Sequence, residues 1–221
     1  VALLKASYAD ERGNISFQNE AGCIDALSVA QATHRTGGKV IVQVNRLVNR
    51  HMPPRAVEVP SALVDAVVVC PEQQQLTNLE GYYDYICGKY VPTGNILKAC
   101  REEIRGRIGA TSERNDLHRA IAKRAYHEMK KGPTEQIINI GIGIPELIAE
   151  EVLEHNQLDD IHLSVEAGQT GGFPLGGKGF GCAIGADSML DMARQFDFYE
   201  GGGLDGCFVG ALQIDKNGNV N

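Results

Sequence analysis

Two periods alternate along this chain, and together they outline an α/β protein. Residues 2–8 form an apolar run of strand length, closed by the turn-forming string Asp10-Glu11-Arg12-Gly13-Asn14. Over residues 21–36 the apolar positions fall at helical spacing, with Ile24, Leu27 and Ala30 on one side, and Gly37-Gly38 ends the pattern. Residues 40–44 are a β-branched strand. A proline-rich stretch from Pro53-Pro54 to Pro60 leads to a further strand over 64–69. Strand, helix, strand in this order predicts a parallel sheet.

Residues 71–110 lose that rhythm. Gln73-Gln74-Gln75, the tyrosines at 82, 83, 85 and 90, and Pro92 mark an irregular connection, read as an interdomain linker. Its tyrosines either pack on a domain surface or stack on a ligand. Order resumes near Ser112. Leu117, Ile121, Ala125 and Met129 fall four apart and predict a helix that ends at Gly132-Pro133. Next come a strand over 136–140, the loop Gly141-Ile142-Gly143-Ile144-Pro145 and a helix over 145–155, whose first turn tolerates proline because the missing N–H is not needed there. A strand over 161–165 ends on Glu166. A glycine-rich loop over 168–181, a short helix over 188–194 and a strand over 207–214 complete the pattern.

The chain also repeats itself. Asp10-Glu11-Arg12-Gly13-Asn14-Ile15 and Asp215-Lys216-Asn217-Gly218-Asn219-Val220 share one turn pattern, each after an apolar strand. One such turn is common; two, a domain length apart, point to two related units. The expectation is therefore an α/β fold of two related open domains with largely parallel sheets, both incomplete in this chain. Residues 1–70 would be the later part of the first domain, 71–110 the linker, and 111–221 the earlier part of the second.

Composition narrows the function classes. With 28 acidic against 21 basic residues the net charge is −7, which argues against a nucleic-acid surface. The cluster Arg119, Lys123, Arg124, Lys130 and Lys131 reads as a solvated helix face. There is no apolar run long enough for a membrane-spanning helix, and the first residues do not read as a signal peptide. Six cysteines at 23, 70, 87, 100, 182 and 207 form no CxxC pair, which fits buried thiols in a reducing cytoplasm and gives no zinc-ligand spacing.

Three elements carry candidate chemistry. In Ser164-Val165-Glu166-Ala167-Gly168-Gln169-Thr170-Gly171-Gly172 an acid ends a buried strand, at the edge where open α/β sheets bind ligands. The glycines leave room for substrate and can aim N–H groups at a developing oxyanion. The residues alone leave a second reading open: Glu166 caps the next turn or pairs with a base. The loop 141–145 presents N–H groups and a helix dipole to an anion, although tight strand-to-helix turns also use glycine. It is neither a P-loop nor a dinucleotide fingerprint. The third element, Gln195 through Asp205 with Gly201-Gly202-Gly203, brings backbone close to a ligand or simply bends.

In this order the three elements resemble the family I coenzyme A transferases, most closely the propionate/acetate, short-chain acyl branch. The matching residues are Ile140 to Pro145, Val165-Glu166-Ala167-Gly168, Gln195 to Asp205 and Gly218-Asn219-Val220. The resemblance implies transfer of coenzyme A between a short-chain acyl-CoA and a free carboxylic acid, by ping-pong catalysis through a glutamyl-CoA thioester. It places the nucleophile on Glu166, an active-site asparagine on Asn219, and coenzyme A contacts on Gly141, Ile142, Gly143, Ile144 and Pro145. Coenzyme A is then a substrate, and no metal or other cofactor is expected. Members of this branch are more than twice as long, so the site in this chain is expected to be incomplete. A cytoplasmic homo-oligomer with no nucleic-acid or membrane partner completes the expectation. The alternatives are an acyl-exchanging lyase subunit and a metabolite-sensing module of the same fold without chemistry.

Overall fold

The computed structural model describes residues 1–75, 79–108 and 115–221. Its first sheet comprises β1 (Ala2–Asp10), β2 (Ile15–Ser16), β3 (Val40–Val48) and β4 (Ala66–Val69), in the order β2-β1-β3-β4. The β1, β3 and β4 strands run parallel, and β2 folds back antiparallel on β1. Helix α1 (Ala26–Arg35) returns the chain from β2 to β3. Because side chains alternate across a strand, Ala2, Ala6, Val40, Val42 and Val44 join Ala26 and Ala30 in one core, and the neighbouring Leu3 is left 78% exposed.

The second sheet has the order β10-β7-β6-β5-β11 and shares no strand pairing with the first among the described residues. Here β5 (Gln136–Ile140), β6 (Ile161–Ser164) and β11 (Gly206–Phe208) are parallel, while β7 (Gln169–Thr170) and β10 (Ser188–Met189) are antiparallel additions. A small hairpin of β8 (Phe173–Pro174) and β9 (Ala183–Ile184) projects from it. Ile138, Ile140, Ile161 and Leu163 face a core filled by α2 (Gly94–Ile108), α3 (Asp116–Met129) and α4 (Glu146–Glu154). The last helix, α5 (Met192–Phe198), is capped by the Asp191 side chain, which accepts from the Arg194 N–H. Both sheets are open, each with a run of parallel strands and antiparallel additions at one edge, which is the α/β class that the alternating strand and helix periods predict.

Several expectations change. The segment expected to be irregular over 71–110 contains the 15-residue helix α2. Leu97 and Ile104 anchor it two turns apart, and Leu79, Tyr83, Tyr85 and Ile86 join the same core, so these tyrosines pack. Six charges from Lys98 to Arg107 dilute that stripe in the sequence. Ser112, where order was to resume, lies outside the described residues. On α3 the four-residue spacing meets the core only in its second half, where Ala125 packs against it and Met129 is buried. At 100° per residue each step of four drifts by about 40° around the helix, so Leu117 and Ile121 remain 65% and 45% exposed and the buried face is Ala122, Tyr126 and Met129. The helix expected at 188–194 begins at Met192, after strand β10. The helix expected from 21 begins at Ala26, because Ile24 takes a left-handed φ of 48°. The strand expected over 207–214 ends at Phe208, beyond which Leu212 is 94% exposed.

The repeated turn is the same object twice. In the first copy, Asp10 Oδ1 accepts from the N–H groups of Arg12 and Asn14, and Oδ2 from the Asn14 side-chain amide. The second copy has Asp215 Oδ1 accepting from Asn217 and Asn219, and Oδ2 from the Asn219 amide. Gly13 and Gly218 take φ of 84° and 85° at the same step.

Candidate active site

The candidate nucleophile stands on a tight turn between β6 and β7. The Val165 N–H donates to Gln169 O at 2.9 Å, and the Gly168 N–H to Val165 O at 3.1 Å, which leaves Glu166 at the second position of a four-residue turn. Gly168 has a φ of 116°, and a Cβ there would lie 2.0 Å from Leu190 O, so only glycine fits. The Glu166 carboxylate is half-buried and takes no hydrogen bond or ion pair among the described residues. The alternative in which it caps a turn or pairs with a base therefore has no partner here to support it.

Neighbouring side chains hold the turn from two sides. Gln169, 1% exposed, donates through Nε2 to Ala21 O and to Ile86 O, tying the turn to the first sheet's loop and to the connecting segment. The strained Ile24 presents its carbonyl to the Met192 N–H at 3.0 Å, fixing that loop against the start of α5. Behind the turn, the Tyr199 hydroxyl donates to Ser164 Oγ at 2.9 Å and accepts from Asn139 Nδ2 at 3.2 Å. Ser164 lies two residues before Glu166, so this network stiffens the end of the strand that carries it. None of these supports stands out in the sequence, because their partners come from distant segments. The only local signal is a glutamine beside a glycine turn.

The loop 141–145 follows β5, the parallel neighbour of β6. Asn139 pairs with Ser164 near the ends of these two parallel strands, so loop 141–145 and the Glu166 turn leave the sheet at the same carboxyl edge. Not all its N–H groups are free. Gly141 donates to Phe208 O at 2.9 Å, and Gly143 to the Glu146 carboxylate at 3.0 Å. Those of Ile142 and Ile144 have no partner among the described residues, and the Ile142 side chain is exposed. Gly141 is favoured by the close approach of β11, since a Cβ would sit 3.0 Å from Phe208 O. Pro145 begins the turn into α4.

Asn219 lies in the second repeated turn, on exposed chain beyond β11, with its amide bound to Asp215 rather than to Glu166 or loop 141–145. The element from Gln195 to Asp205 bends: Gly202 has a φ of 89°, Gly203 abuts the Phe198 ring, and Asp205 exchanges two hydrogen bonds with Ile137. Among the described residues no cluster of metal-ligating side chains occurs, and no helix is long and apolar enough to cross a membrane. Cys23, beside this site, is held up at about 11 by burial and by the nearby Asp191 and Glu58 charges, so it stays a thiol.

Comparison with known proteins places these features. A family profile described as malonate decarboxylase, alpha subunit, transporter matches residues 1–83. The acetate CoA-transferase YdiF of Escherichia coli O157:H7 is 35% identical over 221 residues, covering 100% of this chain and 39% of the relative. The caffeate CoA-transferase of Acetobacterium woodii is 37% identical over 224 residues, covering 100% of this chain and 40% of the relative. The chain thus spans about two fifths of the length of these relatives. Among solved structures, the acyl-CoA transferase YdiF from E. coli O157:H7, in a thioester complex with CoA, superposes with a TM-score of 0.77 at 32% identity, covering 100% of this chain and 37% of that one.

Proposed function

Since this chain belongs to the family I coenzyme A transferases, we propose that the whole protein transfers coenzyme A between a short-chain acyl-CoA and a free carboxylic acid, with Glu166 as the covalent nucleophile. The observation that carries this reading is an unpartnered carboxylate on a glycine-enforced turn, at the same carboxyl edge of a sheet as loop 141–145. A carboxylate free of internal partners keeps its lone pairs for a substrate carbonyl. A glycine beside it lets the thioester approach the backbone.

The chemistry runs as two reversible exchanges. The Glu166 carboxylate oxygen attacks the thioester carbonyl carbon, the C–S bond breaks, and the thiolate leaves behind a mixed anhydride. That thiolate attacks Cδ of Glu166, expels the first carboxylic acid as its anion, and leaves a glutamyl-CoA thioester. An incoming carboxylate attacks the same Cδ and displaces the thiolate. The thiolate then attacks the new acyl carbonyl and returns Glu166 as the carboxylate. Water must be kept from the thioester, or its energy is lost to hydrolysis. The free N–H groups of Ile142 and Ile144 are placed to hold the coenzyme, with Gly141, Gly143 and Pro145 shaping the loop. Asn219 is assigned to the same site by the family resemblance. Its Nδ2 is bound to Asp215, so Oδ1 is the side-chain atom left for a ligand. Coenzyme A enters as substrate, and we propose that neither a metal nor a resident cofactor takes part.

We also propose two related domains, 1–70 and 111–221, joined through 71–110, on the strength of the repeated Asp10 and Asp215 turns and the two separate sheets. A cytoplasmic homo-oligomer is the expected setting. An acyl-exchanging lyase subunit is the alternative reading, supported by the profile over 1–83; the transferase is preferred because the whole-chain relatives are transferases.

The test is covalent trapping. Full-length protein mixed with an acyl-CoA should gain the mass of coenzyme A, and borohydride, which reduces a thioester but not a carboxylate, should inactivate it only after that mixing. Peptide mapping should place the change on Glu166. Glu166→Gln should abolish trapping and cost several powers of ten in turnover, on the order of losing a single nucleophile. Turnover of Glu166→Gln within about tenfold of the parent, a cost near 1.4 kcal/mol, would end the nucleophile assignment.

A further inference from the structure

At the carboxyl end of the first sheet a small cavity of about 230 Å³ is lined by Arg46, Arg50 and Lys89 together with Tyr8 and Asn19, and no acidic side chain lines it. In a chain with seven more acids than bases, three cations facing one space without a carboxylate are unusual. Tyr8 and Arg46 are register partners on the parallel strands β1 and β3, and the guanidinium carbon stands 4.7 Å over the phenol ring. Tyr8 is in turn fixed through its hydroxyl, which accepts from the Asn19 side-chain amide. The Arg46 fork is thereby oriented while its five N–H donors have no carboxylate partner among the described residues.

The acids nearby are committed elsewhere. Asp10 is saturated by Arg12, Asn14 and Met52, and Glu20 accepts from Ser7 and Tyr82. Among the described residues, the carboxylate within reach of Lys89 is that of the exposed Asp84, 3.9 Å away. The cavity is smaller than the roughly 300–1,000 Å³ that encloses a drug-sized ligand, so its size suits one oxyanion group rather than a nucleotide. It also lies at the edge of an open parallel sheet where such folds bind ligands.

We propose that Arg46, with Arg50 and Lys89, forms an oxyanion site of this protein, taking either the carboxylate of a short-chain acid or a phosphate group of a coenzyme A thioester. The planar guanidinium suits the paired oxygens of either group, and stacking on Tyr8 removes the entropy that a free arginine would lose on binding. The assignment to these two sources rests on the transferase reading; the site itself rests on the geometry.

Calorimetry at low salt on the full-length protein tests it, with propionate, coenzyme A and 3′-dephospho-coenzyme A as probes, comparing the parent with Arg46→Gln and with Arg50→Gln. If the anion is a carboxylate, propionate weakens at least about tenfold in Arg46→Gln while both coenzyme forms bind as in the parent. If it is the phosphate, coenzyme A weakens by that factor and its advantage over the dephospho form disappears. Arg50→Gln, which removes a guanidinium without a stacking ring, should shift the same probe in the same direction by a smaller factor, and it decides the matter if Arg46→Gln does not fold. All three probes binding within about twofold of the parent in the folded variants would overturn the site. The transferase reading fails separately: the parent would then form no trapped Glu166 adduct, whatever the arginine variants do.

Discussion

G168A is the most exposing single change, because it strikes the turn that presents Glu166 and leaves the nucleophile itself intact. Gly168 has a φ of 116°, in a region that residues with a Cβ rarely occupy. Holding alanine there costs about 1–3 kcal/mol. The added carbon would also lie 2.0 Å from Leu190 O, which is backbone and cannot rotate away. Leu190 must therefore recede by more than an ångström, which breaks the 2.7 Å hydrogen bond from its N–H to Gly168 O, a loss of about 1 kcal/mol. The sum is about 3 kcal/mol. For a chain of this size each kcal/mol moves the melting point by roughly 2–4 °C, so G168A should melt about 6–12 °C lower. G106A is the opposing control: Gly106 is exposed near the end of α2 with open space around it, so alanine should be neutral or stabilise by up to about 1 kcal/mol. Thermal unfolding followed by circular dichroism reads both, and borohydride trapping reads whether the displaced turn still loads. A melting point for G168A within about 2 °C of the parent, with trapping at the parental rate, would refute the account of the turn.

Asp10 makes the stability depend on acid. Burial pushes its carboxyl up, and hydrogen bonds from the Asn14 side chain and from the N–H groups of Asn14, Met52 and Arg12 more than offset that, leaving it at about 2 against an ordinary 3.8. Because the folded value is the lower one, its contribution is complete well above pH 4 and is lost as pH falls toward 2. Asp10→Asn should therefore destabilise the protein by about 2 kcal/mol at pH 7, and the gap should narrow below pH 4 in urea titrations; a gap independent of pH would count against the turn's carboxylate. For the cysteines, burial pushes Cys182 up to about 12, while Cys207 is exposed. A disulfide reagent at pH 8 should label Cys207 within the folded protein and reach Cys182 only after unfolding, and early labelling of Cys182 would contradict its burial.

Local pattern was enough for much of this protein. The β-branched run at 40–44, the strand over 136–140 and the helix begun by Pro145 are set by residues adjacent in the chain, so their form is readable without a fold. The acid just after β6 and the repeated Asp-x-x-Gly-Asn turn are equally local, since the bonds from Arg12 and Asn14 that shape the first turn around Asp10 fall within five residues. Tertiary structure decided which stripe of α3 is buried, because Tyr126 and Met129 win that role only against the sheet they meet. It also made a helix of α2, whose two buried anchors mean little until α4 and the hairpin supply the other wall. The supports of Glu166 belong to this second class. Gln169 reaches Ala21 across 148 positions, Tyr199 reaches Ser164 across 35, and Arg46 meets Tyr8 only because two parallel strands align them. A sequence states which groups are available; the distances that make them partners arise when the apolar faces close, and hydrophobic burial carries no record of them in any one segment.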